Sequence, residues 1–107
     1  MFVHEEECKR EILDNGVERI IKGYVDELMV VHLKWKKGME GAVHTHPHTQ
    51  CVYVLSGSFE ASIEDQQTIL KAGDCTYITG GKPHGLLALE DGEILDIFTP
   101  HREDFVN

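Results

Sequence analysis

From residue 17 onward the chain alternates short apolar-rich runs with turn residues. Residues 17–25, 28–35, 42–46, 50–55, 58–63, 68–70, 75–78, 84–89 and 94–99 read as strands. The breaks between them carry turn chemistry: Lys37-Gly38, Ser56-Gly57, Glu64-Asp65, Ala72-Gly73-Asp74, Gly80-Gly81 and Asp91-Gly92. Many short strands at this spacing predict an all-β sandwich or barrel, and no helical period of useful length competes. The segment up to Asn15 is charged, and predicts at most a strand at residues 2–4 followed by a short helical turn. No linker, repeat or low-complexity tract divides the chain, so residues 1–107 are expected to form one domain.

Composition narrows the partners. A formal charge of −9 argues against nucleic acid, which needs clustered Lys and Arg, and against anionic membranes. No apolar run approaches the roughly 20 residues of a membrane span. The opening MFVHEEECKREI is acidic where a signal peptide needs a basic start and an apolar stretch, so a cytoplasmic location is expected. Cys8, Cys51 and Cys75 are an odd count without a CxxC pair, which is no disulfide framework. A domain this small leaves much of its surface to solvent, and a homodimer would cover part of it.

The candidate chemistry lies in HTHPHTQ, residues 44–50, and in His84. Imidazole is the commonest protein metal ligand. On a regular strand His44 and His46 face the same way. Pro47 cannot donate a ladder hydrogen bond, so a bend there would let His44, His46 and Gln50 converge. Further on, Gln50, Val52 and Val54 share one face, opposite Cys51, Tyr53 and Leu55. Near the end, Asp96 and Phe98 share a face of the last strand, Pro100 ends it, and Arg102 follows.

The spacing resembles the two-motif signature of the cupin superfamily. Gly38 is followed after five residues by His44, then by His46, after three residues by Gln50, and after six by Gly57. Gly73 is followed after seven residues by Gly81 and after two more by His84. The resemblance implies a double-stranded β-helix, or jelly-roll barrel, with a metal in its mouth. His44, His46, Gln50 and His84 match its ligand set, and the expected cofactor is one divalent transition metal ion, Zn, Ni, Fe or Mn. Gln50 stands where most cupins carry Glu; it either ligates without charge or only hydrogen-bonds beside a three-His site. His48 is expected at the rim or behind the ligands, and His4, His32 and His101 as structural or exposed. Thr79 and Ala88 depart from the usual Pro and Asn of the second motif.

HTHPHTQ together with Ser56-Gly57-Ser58-Phe59-Glu60, Lys71-Ala72-Gly73-Asp74, Lys82-Pro83-His84-Gly85 and the ending Asp96-Ile97-Phe98 … Arg102-Glu103-Asp104-Phe105 resembles the KdgF family of pectin-degradation cupins. That resemblance implies a small anionic sugar acid as substrate: a 4,5-unsaturated monouronate from pectin or alginate lyase action, converted to a linear keto sugar acid. Asp96, Phe98 and Arg102 match the family's catalytic pocket. The alternatives are a small metal-dependent oxygenase and a non-catalytic sugar-binding module.

Overall fold

Alternation of buried and exposed residues sets the sheets. A computed structural model describes residues 1–106. It contains β1 (Lys9–Ile12), β2 (Glu18–Val25), β3 (Leu28–Trp35), β4 (Glu40–His44), β5 (Thr49–Ser56), β6 (Ser58–Ile63), β7 (Gln66–Lys71), β8 (Cys75–Ile78), β9 (His84–Ala88), β10 (Gly92–Thr99) and the short helix α1 (Glu103–Val106). In β3, Met29, Val31, Leu33 and Trp35 are buried while the residues between them are not, a period of two that fixes one inward face. β5 buries Gln50, Val52 and Val54, with Tyr53 and Leu55 exposed, as its parity predicts.

Two antiparallel sheets result, one ordered β1-β2-β3-β10-β5-β8 and the other β4-β9-β6-β7. Their inward faces share one apolar core, including Val31, Val54, Ile94 and Phe98 from the first sheet and Phe59, Ala61 and Ala88 from the second. The arrangement is that of a jelly roll. Register across β3, β10 and β5 aligns Asp96 with Val31 on one side and Val52 on the other. A carboxylate thus stands in an inward row of valines. One row above, Phe98 lies between Met29 and Gln50.

Two expectations fail locally. Residues 2–4 form no strand; a 3-10 turn at Glu5–Glu7 follows them and the first strand is Lys9–Ile12. That strand is charged because it is an edge, where charge blunts unwanted pairing. Its register sets Glu11 opposite Arg19, and the two form an ion pair. The strand expected at 42–46 instead covers Glu40–His44, so His46 lies beyond its end rather than two residues along it. A bend at Pro47 and His48 follows, where Pro47 offers no ladder donor.

Candidate metal centre and substrate cavity

His44, His46 and His84 come together although β4, the loop after it and β9 carry them separately. Their ligand atoms lie within 4.8 Å of one another. Register pairs His44 with His84 across β4 and β9. His46 joins them through its loop: Gly81 N–H donates to His46 O at 2.8 Å, clasping the segment before β9 against the one after β4. Gly80 makes that approach possible, since a Cβ there would lie 2.2 Å from Pro47 O.

Each ring is oriented by the main chain. The Nδ1–H groups of His44, His46 and His84 donate to Ala42 O at 2.9 Å, His48 O at 3.1 Å and Lys82 O at 2.9 Å. A carbonyl only accepts, so Nδ1 carries the proton and each Nε2 is left with its lone pair, the tautomer that a metal requires. His84 Nε2 is buried without a partner among the described residues. His46 Nε2 faces Gln50 Oε1 at 2.9 Å, two acceptors in contact unless the amide is turned over. An ion shared by these atoms would satisfy both, and the donor set of three neutral imidazoles and an amide oxygen fits a divalent transition metal. Burial lowers the pKa of His46 and His84, which keeps both rings neutral.

Two of the imidazoles open onto a cavity of about 230 Å³ lined by His44, Gln50, His84, Asp96, Phe98 and Arg102 among others. The sequence-named residues therefore meet at one place, with His46 against the Phe98 ring at 5.7 Å. Burial pushes the Asp96 carboxyl up to about 7, against the opposing pulls of the Gln50 amide and the Arg102 charge. Asp96 Oδ1 is sealed from solvent and has no hydrogen-bond partner among the described residues. Among the described residues it forms no ion pair, so it is not a rim residue paired with a base. Phe98 is 2% exposed and belongs to both core and cavity wall. His48 supports His46 through its carbonyl, while His32 pairs with Glu93 at 2.6 Å and His101 stacks on Tyr24 at 4.8 Å.

Arg102 is a cavity residue rather than a solvated surface charge; its side chain is 12% exposed. Its Nε and Nη2 bind Asp104 at 2.9 and 2.7 Å, and its Cζ lies over Phe105 at 4.3 Å. Sequence reading passed over Arg19. It faces the same cavity from β2, bound to Glu11 and stacked over the same Phe105 ring at 3.9 Å. The available signal was its parity with Val17 and Ile21, both inward residues. Thr76 and Ser62 add hydroxyl-bearing side chains to the wall.

Known proteins with this arrangement are similar along nearly the whole chain. Residues 31–98 match the cupin domain family. The pectin degradation protein KdgF of Dickeya dadantii is 40% identical over 104 residues, covering 95% of this chain and 94% of that protein. An RmlC-like cupin from Shewanella frigidimarina superposes with a TM-score of 0.92 at 36% identity, over 97% of this chain and 94% of the other. The structure of KdgF from Halomonas sp. gives a TM-score of 0.92 at 33% identity, over 98% and 97%. With its two-sheet jelly roll and its histidines at the mouth, the chain belongs to the cupin family and, within it, to the family of KdgF.

Proposed function

We propose that this chain is a metal-dependent enzyme of pectin or alginate breakdown that converts 4,5-unsaturated monouronates to linear keto sugar acids. One observation carries the reading: a buried carboxyl oxygen of Asp96, without a partner among the described residues, shares a cavity with the His44 and His84 imidazoles, beside which His46 stands, and with the Arg102 guanidinium. Kinship with KdgF, a pectin degradation protein in Dickeya dadantii, supports the substrate class.

The substrate has an enol ether at C4=C5 and a hemiacetal at C1. Linearisation breaks the C1–O5 bond, removes the proton from the C1 hydroxyl and adds one at C4, leaving an aldehyde at C1 and a ketone at C5. No electrons enter or leave. Asp96 is the residue placed to move that proton, and one positioned acid or base is typically worth about 10²–10⁴ in rate. The Arg102 fork binds the carboxylate or an adjacent oxygen. Phe98 forms an apolar wall that excludes water from the reacting carbons. His44, His46, His84 and Gln50 would hold a divalent ion, which would supply Lewis acidity toward the substrate's oxygens.

The test follows the ultraviolet absorbance of the conjugated double bond in freshly lyase-generated unsaturated galacturonate. Signal loss should be at least ~10²-fold faster with metal-loaded protein than with the Asp96→Asn variant. Decay no faster than buffer would sink the reading, leaving a small oxygenase, checked by oxygen uptake with Fe(II), or a sugar-binding module. The expected homodimer has a surface to use: Tyr53, Leu55 and Tyr77 are exposed on β5 and β8, and sedimentation as a monomer would remove it.

A further inference from the structure

We infer that Arg19 is a second substrate-positioning residue, which with Arg102 forms a two-point clamp for the oxygen groups of an anionic substrate. The inference rests on the sugar-acid reading and extends it to a residue outside the sequence motifs.

The two arginines are built alike. Arg19 gives its Nε and Nη2 to Glu11 Oε1 at 3.1 and 2.8 Å, and Arg102 gives its Nε and Nη2 to the carboxylate of Asp104. A guanidinium has five N–H donors in a fixed fork. In both residues the Nη1 end is left without a partner among the described residues. Both guanidinium groups lie over the Phe105 ring, at 3.9 and 4.3 Å from its centroid, so their carbons are no more than about 8 Å apart. Within that bound both forks are in reach of one pyranose and its substituents.

Arg19 is committed to the cavity. Its side chain is 14% exposed, and it comes from an inward position of β2, where its register partner is Leu33. A guanidinium aimed into a core is costly without a counter-charge, and Glu11 supplies one from the outer strand. Holding β1 to β2 would need only a surface pair; turning the same cation inward adds nothing to that task. Arg19 and Arg102 are the basic residues of the cavity wall and Asp96 the acidic one. In a chain of net charge −9, this is the local positive field that an anion needs to enter. Two anchored forks with free ends also fix orientation, since rotating the ligand breaks one pair to keep the other.

The experiment measures binding to the metal-loaded full chain by calorimetry, with galacturonate, with galactose as its uncharged counterpart, and with malonate as an anion unrelated to sugars. Arg19→Met keeps the stem against Phe105 and removes the fork; Arg19→Lys keeps the charge and serves if the first variant does not fold. Galacturonate binding should weaken at least tenfold in Arg19→Met and by less in Arg19→Lys, with galactose binding and bound metal unchanged. On the unsaturated uronate KM should rise about tenfold while kcat stays within a few fold. A purely structural Arg19 would lower the melting temperature and leave that split untouched. Equal galacturonate and malonate affinity in wild type and variants overturns the inference. Loss of malonate binding in the variants, from a wild type that binds neither sugar, sustains the anion role of Arg19 and sinks the sugar-acid reading instead.

Discussion

The two sides of the cavity are held by different kinds of bond. On the imidazole side the main chain orients every ring, through Ala42 O, His48 O and Lys82 O, and the loops that carry them are clasped by Gly81 N–H and His46 O. On the arginine side the fixings are side chains: Glu11 on Arg19, Asp104 on Arg102, and Phe105 beside both. Those carboxylates are 34% and 58% exposed. The first side is set by register and by main-chain bonds between its loops before anything binds, as a metal with demanding geometry requires. The second is held by pairs that solvent and salt screen, and so can adjust to the ligand.

The largest effect should come from breaking the first side alone. His84→Ala removes a buried imidazole whose Nε2 nothing else engages among the described residues. Metal affinity should fall by more than the ~10–100-fold typical of losing an outer hydrogen-bond partner, and turnover should drop to the buffer rate. Elemental analysis and the absorbance assay check both. Retained metal at one ion per chain would mean that the three imidazoles are not the site. The arginine side should survive, seen as malonate binding that still depends on Arg19.

Asp96 stands between the two sides and gives the next effect, on stability. In metal-free protein burial raises its pKa to about 7 from the ordinary 3.8, so the fold favours the neutral acid. Below pH 3.8 both folded and unfolded chains hold the proton and there is no penalty. As pH rises from there to about 7 the unfolded chain ionises first, and stability is lost, by up to about 4 kcal/mol; above 7 the loss is constant. Asn has no proton to lose over this range. Asp96→Asn should therefore be more stable than wild type at pH 8, by a gap that narrows as the pH falls to 5, measured by urea unfolding. A gap independent of pH would mean that Asp96 is ionised in the fold. The carboxyl proposed to move the proton is thus one that the fold would hold more cheaply as an amide.

The same contrast explains what could be read from the chain. His44, His46, Gln50 and His84 were legible because register and tight loops tie them to fixed spacings, and spacing survives in a linear text. Even there the reason was partly misread: His46 reaches the site from beyond the strand end, through Gly80 and Gly81, not by parity with His44. The two sheets were legible from alternation, with strand ends misplaced mainly where a partner strand decides them, as in β7 and β10. Arg19 and Phe105 were not legible as site residues. They lie far apart in sequence and meet where Arg19 of β2 stacks on Phe105 of α1, and the pairing of Glu11 with Arg19 depends on an edge strand whose own sequence, Lys9–Ile12, is charged enough to pass for a loop.

The smallest effect tests whether the arginine side is truly adjustable. Asp104→Asn removes one charge beside Arg102, and two consequences oppose each other. The guanidinium becomes more attractive to an anion, and it loses part of what orients it. The charge should prevail. Asp104 is exposed, so its hold on Arg102 is the weak kind, worth about 0–1 kcal/mol, whereas Phe98 and Phe105, at 5.1 and 4.3 Å from the Arg102 Cζ, remain to position the group. KM for the uronate should fall about two- to threefold at low ionic strength, with kcat and bound metal unchanged. The gain should vanish in high salt, where the Debye length shrinks to about 3 Å at 1 M. A rise in KM at every salt concentration would show that Asp104 orients Arg102 as firmly as the carbonyls orient the histidines, and the two sides of the cavity would then be equally rigid.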